Sequence, residues 1–326
     1  MNRRELLGLL AFAGGLGISR RACGCFWRRR RRYKIGCREI EPFQVCDPLP
    51  SQVLAPGDTG QEVAKLHAYL SQFGYLPNVG LQRAYGYTPA ISECPRSLET
   101  YDEVTRKAVV AFQSFYRLPG EGTVNERTLQ LIRTPRCGVP DKVFPSQPTR
   151  YVVSGYKWPF NNPAWWAETW QLPSGSGVQK LAWQAIGNAV GEWAGYSNIK
   201  PQKYMGDLPQ SSPIYLCWRA GGPHSGKFRP CPTPFENAVL AHAAYPDGSD
   251  RAGEIHFNTA FHWATDGSAE AADVESVALH ELGHALGLAH TAHNEAVMYA
   301  YISLGTIKRK CAADDIDGIR QIYGGG

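Results

Sequence analysis

At 326 residues the chain is longer than one hydrophobic core commonly fills, and it is sized for two compact domains. Its 43% hydrophobic and 19% charged residues are those of a globular protein, which excludes wholesale disorder. The formal net charge of +5 is no more than the contribution of one run, Arg28 to Arg32, so the rest is balanced and gives no ground for a nucleic-acid partner.

Residues 1–22 carry Arg3 and Arg4 before an apolar stretch from Leu6 to Ile18. The stretch resembles an export signal, loosely of the twin-arginine kind, and is short for a membrane span. Arg20 and Arg21 behind it oppose translocation, so secretion is the expectation and retention at the membrane its alternative. Nine cysteines point the same way, to an oxidising compartment, and an odd count leaves at least one without an intramolecular partner. Four of them, Cys23, Cys25, Cys37 and Cys46, fall in residues 23–54, read as a disulfide-tied or mobile basic arm.

Residues 55–134 turn helical. EVAKLHAYLSQFGYL sets Val63, Leu66, Leu70 and Phe73 at spacings of three and four, and TRKAVVAFQSFYRL repeats the device, with a long loop from Pro77 to Pro95 between them. A linker rich in Pro follows at residues 135–150 and is expected to run extended and exposed. Residues 151–326 alternate a strand near Ala164 to Leu172, a helix from Gly177 to Ala194, strand-like runs at Ile214 to Trp218, Ala238 to Ala243 and Glu254 to Phe257, a helix from Ala272 to Leu288 and a closing helix in DDIDGIRQIYG. That order predicts an α+β domain with one mostly parallel sheet behind a small all-α unit.

The segment His280 to His290, HELGHALGLAH, carries the chemistry. Residues four apart on a helix differ by about 40° around the axis, so His280 and His284 face one ion, with Glu281 beside them to act on water. Gly287 can take the left-handed turn that ends the helix and brings His290 in as a third ligand. Three protein ligands leave a fourth position open, as in a catalytic zinc site.

This motif resembles that of the metzincins and, within them, the matrixins or matrix metalloproteinases. Met298 fits the family's methionine turn, although a lone Met is also ordinary core. PRCGVPD, Pro135 to Asp141, is similar to the family's cysteine switch, in which Cys137 would fill the fourth zinc position; unaided cysteine arithmetic leaves pairing of Cys137 with Cys94 or Cys311 open. VVAFQSFYRLPGEGTVNERTLQLI resembles the peptidoglycan-binding-like prodomain, and the likeness runs from about Ala55 to Gly324 with no hemopexin-like domain after it. The resemblance implies a secreted, monomeric zinc endopeptidase made as a zymogen, with Glu281 as general base. Extracellular-matrix or cell-wall proteins would be its substrates, lying along Leu240, Ala241 and Ala243, and Ser276 would face a roomy specificity pocket. It also implies activation by another protease at Arg150–Tyr151, the new Tyr151 ammonium pairing with Asp314 or Asp315.

The family's second, structural zinc has three histidines and an aspartate; His242 and His256 align, His224 is the third, and Gly226 stands where the aspartate is expected, with Asp247 or Asp250 as substitutes. Calcium is in doubt, because Asn258 and Phe261 stand where carboxylates are expected and Glu236 alone remains. Cys217 and Cys231 bracket the depleted loop, where a disulfide between them would replace metal as the brace. Ala300 stands where the family has proline. The competing reading is a non-catalytic glycan-binding protein with a vestigial metal site, against which Glu281 argues, since a structural site needs no base.

Overall fold

The computed structural model describes residues 33–35, 38–40, 49–141, 151–172, 176–206, 212–221, 224–227, 230–231, 233–236 and 238–325. The export-like segment, the cysteines of the basic arm and Arg150 lie outside them. Strands β1 (Tyr33–Ile35) and β2 (Arg38–Ile40) form an antiparallel pair.

The helical unit has four helices, α1 (Gln61–Gln72), α2 (Val79–Tyr85), α3 (Glu103–Phe115) and α4 (Glu126–Arg133). The predicted stripe on α1 is buried and meets Val109, Phe112 and Phe115 of α3 in one core. Helix α2 lies inside the stretch expected as a loop, and α4 follows α3. Both start at an asparagine whose side chain takes up an orphan amide: Asn78 accepts from Leu81 N–H and Asn125 from Thr128 N–H.

The second unit is built on a six-stranded sheet. In chain order its strands are β3 (Arg136–Cys137), β4 (Ala164–Glu168), β5 (Gln202–Lys203), β6 (Ile214–Arg219), β7 (Val239–Ala243) and β8 (Glu254–Asn258), arranged β3-β7-β8-β6-β4-β5. All neighbours are parallel except β7 and β8, where His242 lies opposite His256. The strand expected to reach Leu172 ends at Glu168 and gives way to a 3₁₀ turn. A short parallel pair, β9 (Trp263–Ala264) and β10 (Ala272–Asp273), leads into helix α6 (Val274–Ala285), and α5 (Ser176–Tyr196) and α7 (Ala313–Tyr323) complete the domain. Trp193 of α5 fastens the two long helices: fully buried, it donates its indole N–H to the Leu279 carbonyl over 2.8 Å. Among the described residues no helix is long and apolar enough to cross a membrane.

Two expectations are corrected. The first part of the linker is not exposed: Arg136 and Asp141 are both 0% accessible, because each neutralises the other across 2.9 Å. Cys217 and Cys231 form no disulfide. Both are free thiols, Cys217 directed at the Ile255 carbonyl and Cys231 at His242. Cys94 is disulfide-bonded, while Cys137 and Cys311 are free, so neither alternative pairing of Cys137 forms.

Candidate metal centre

Helix α6 starts where Asp273 accepts from the Ser276 amide and stops just before Gly287, whose φ of 106° is open to glycine and strained for other residues. The chain then doubles back and His290 arrives over the first two histidines. Three ring nitrogens converge: His284 Nε2 lies 3.1 Å from His280 Nε2 and 3.1 Å from His290 Nε2, and the third edge is 3.3 Å. Metal–nitrogen bonds of about 2.0–2.1 Å in a tetrahedron give edges of about 3.3–3.4 Å, close to this triangle.

The opposite ring nitrogens determine the protonation. His280 Nδ1 faces the Val297 carbonyl at 2.7 Å, His284 Nδ1 the Leu288 carbonyl at 2.8 Å, and His290 Nδ1 the Asp141 carboxylate at 2.7 Å. These partners only accept, so each Nδ1 donates its proton. Burial pushes the pKa of all three imidazoles down and keeps them neutral. The three inward Nε2 atoms therefore present lone pairs to one point, which needs a cation. The site fits zinc.

Cys137 closes the fourth side, its Sγ 3.5 Å from His284 Nε2 and grouped with the three histidines as potential ligands. Burial and the Glu281 carboxylate push the thiol pKa well up, and a bound cation reverses that preference, because a coordinating thiol is deprotonated. Glu281 is fully buried, and among the described residues the Cys137 thiol is the one polar group beside its carboxyl. Burial pushes its pKa up to about 8, with the neighbouring Cys137 thiol pulling the other way.

The strand carrying Cys137 occupies the edge assigned to substrate. Arg136 N–H donates to the Ala238 carbonyl and Gly138 N–H to that of Ala241, while Cys137 N–H is held from the far side by the Ala300 carbonyl at 2.9 Å. Leu240 and Ser276 line a cavity of about 20 Å³ with Val277, Tyr301 and Lys308; Ala243 sits further along β7. Lys308 N–H donates to Ser276 Oγ, and the Lys308 ammonium is tied to the Asn294 and Ala296 carbonyls. Met298 lies under the cluster, its sulfur against Gly283. Asp315, named as a partner for Tyr151, accepts from the amides of Val297 and Met298 and so holds the turn that carries Met298. Tyr151 packs against Gly318.

Sequence reasoning assigned no role to Arg136 or Asp141. Asp141 accepts from Arg136 and His290 and from the hydroxyls of Tyr75 (2.7 Å) and Tyr116 (2.8 Å), so two tyrosines of the helical unit, the segment that carries Cys137 and one of the three converging imidazoles share one carboxylate. Burial would raise its pKa; Arg136 and then His290 more than offset this and hold it below the usual carboxylate range. The available signal was the opposite charges at the two ends of the switch segment.

A second cluster gathers His224, Cys231, His242 and His256. Asp247 and Asp250 are not in it; Asp247 accepts from the Ser249 amide. Near the expected calcium position, Asn258 donates to the Val239 carbonyl and accepts from Ala260 N–H, which leaves its amide engaged within the fold.

Comparison with known proteins agrees with this geometry. The family profile described as Matrixin matches residues 177–324, and one described as a putative peptidoglycan binding domain matches residues 59–132. Metalloendoproteinase 1 of Glycine max is 30% identical over 283 residues, which are 82% of this chain and 84% of that protein. Matrix metalloproteinase-2 of Drosophila melanogaster is 30% identical over 79% of this chain, which spans only 33% of the fly protein. Metalloendoproteinase 4-MMP of Arabidopsis thaliana is 28% identical, with 84% of this chain and 76% of the relative aligned.

Proposed function

Because the chain belongs to the matrixin family and is a metalloendopeptidase, we propose that it is made as a latent zymogen in which Cys137 blocks the zinc held by His280, His284 and His290. The observation that carries this reading is the Cys137 sulfur, 3.5 Å from His284 Nε2, on a segment hydrogen-bonded along strand β7. The segment pairs parallel to β7 and fills the edge that an extended peptide would use. Tyr75 and Tyr116 of the helical unit are turned onto Asp141, which supports an inhibitory role for that unit over glycan binding.

When bound, zinc polarises the scissile carbonyl and makes water acidic enough to attack near neutral pH. Glu281 takes the proton released by that water and returns it to the leaving amine, so no covalent enzyme intermediate is needed. Its burial with only the Cys137 thiol beside it fits the role, because departure of that thiol leaves the base free to share a proton with water alone. The outward nitrogens of the three histidines, each donating to a fixed acceptor, keep the rings aimed inward.

In this reading the chain is exported, acts on extracellular or cell-wall proteins, and is activated when another protease cuts at Arg150–Tyr151. The test is cleavage of gelatin or casein by the purified full chain before and after mercurial treatment, with Glu281→Ala as control and N-terminal sequencing of the active form. Activation by the mercurial in the parent alone, with a mature start at Tyr151, is the expected result. Full turnover without treatment, or turnover that survives a strong chelator, would overturn the reading.

A further inference from the structure

The loop bracketed by Cys217 and Cys231 was expected to lean on a disulfide or an aspartate. Instead its free thiol turns inward. Cys231 N–H donates to the His224 carbonyl over 2.8 Å, closing the loop so that the side chains of both residues face β7 and β8. There His224 Nε2 lies 2.9 Å from His256 Nδ1, His256 Nδ1 lies 3.1 Å from His242 Nε2, and His242 Nε2 lies 3.3 Å from Cys231 Sγ. All four ligand atoms fall within 4.8 Å of one another.

We propose that Cys231, as a thiolate, completes a second, tetrahedral zinc site with His224, His242 and His256, in the place an acidic ligand would otherwise hold. Three lines support this. The spacings are close to the edges of a tetrahedron with metal–nitrogen bonds of about 2.0–2.1 Å and a metal–sulfur bond of about 2.3 Å. Hydrogen bonding alone serves the cluster poorly, since His256 Nδ1 meets two imidazole nitrogens with only one proton or one lone pair to offer, and in either tautomer of His242 its buried Nδ1 has no partner. Arg251 approaches the same sulfur with Nη2 at 3.5 Å, a neighbour suited to a thiolate. Four protein ligands close the sphere, so the site is structural, and it pins the loop to the strand pair whose edge flanks the first metal centre.

The test uses the full chain carrying C137S and E281A, which removes the switch sulfur and prevents autolysis, loaded with Co²⁺. The expected result is two ions per chain and a sulfur-to-cobalt charge-transfer band that C231S abolishes and C217S leaves in place. A band and metal count untouched by C231S would overturn the proposal. So would a parent that binds one ion while the unmutated chain keeps its Glu281-dependent proteolysis, an outcome that leaves the first centre standing. Should C231S fail to fold, C231D keeps the question open to measurement: two ions and no sulfur band are expected, against one ion if the position is not a ligand. In the unmutated chain, Cys231 should resist iodoacetamide until a chelator is added, and equal labelling with metal bound counts against the site.

Discussion

His290 donates its Nδ1 proton to Asp141 Oδ1 across 2.7 Å, so one of the three converging imidazoles is oriented by a carboxylate from the segment that carries Cys137. The same carboxylate neutralises Arg136, which is wholly buried, stacked 3.7 Å over the Phe73 ring and hydrogen-bonded to the Tyr301 hydroxyl. Removing one member of a buried pair leaves the other charge without compensation, at a cost of about 3–5 kcal/mol. Asp141→Asn can still accept from His290 but no longer balances Arg136. Its expected effect is loss of latency with the metal retained: hydrolysis of a fluorogenic peptide without mercurial at more than about half the mercurial-treated rate, since that cost shifts an equilibrium by over a hundredfold. A variant as latent as the parent would show that the charge pair does not hold the segment down.

Glu281 contributes a pH dependence of its own to the metal-free chain. Burial raises its folded pKa to about 8, above the unfolded value of about 4.3. Between these values the folded state holds a proton that the unfolded state has lost, so the stabilisation is complete below about 4.3 and is lost as pH rises through about 8. Burial depresses the imidazoles around it, whose opposite pH dependence is common to parent and variant. The urea midpoint of the chelator-treated chain, measured relative to Glu281→Gln, which has no proton to lose, should therefore fall steadily from pH 5 to pH 8.

Much of this was legible beforehand, and the reasons differ by element. The spacing of four between His280 and His284 is a helical rule, and Gly287 marked the turn that returns His290, so one short segment carried the first centre. Helices α2 and α4 are short, and their strongest sequence marks are single cap residues, Asn78 and Asn125, which compete with turn readings of the same asparagines. The burial of Arg136 was hidden because its partners, Asp141, Phe73 and Tyr301, come from three separate stretches of chain. Cys231 was misassigned for a related reason: two cysteines near one loop look like a disulfide, and only the pairing of β7 with β8 shows that the thiol meets histidines first.

Packing under the first centre gives a sharper test. A Cβ added to Gly283 would stand 2.3 Å from Met298 Sδ and 3.0 Å from Trp193 Cζ2, both side chains that are themselves buried. Gly283→Ala should cost about 1–3 kcal/mol, the range for forcing extra atoms into a filled core. Met298→Ala alone should also destabilise, by opening a cavity, yet the double variant should be more stable than the sum of the two predicts. Chemical denaturation of the four chains measures this, and simple additivity would show that the sulfur does not limit the space at Gly283.

The turn at Gly287 admits no such compensation. Its φ of 106° disfavours any side chain, and a Cβ there would lie 2.3 Å from the backbone carbonyl oxygen of Tyr156, an atom that cannot rotate away. The Ser154 amide donates to the Gly287 carbonyl over 2.7 Å, so the stretch containing Tyr156 is fastened to this turn and cannot simply retreat. Gly287→Ala must therefore shift the path of the chain from α6 to His290. Because a ligand must be held within a few tenths of an ångström, the expected result is at least a tenfold loss in affinity for the first zinc, the lower end of what disturbed ligand orientation costs. Ion counting against a chelator series measures it. Glu281→Ala, which leaves the turn and all three imidazoles intact, should keep its metal under the same conditions, and equal loss from both variants would rule out the turn as the element that delivers His290.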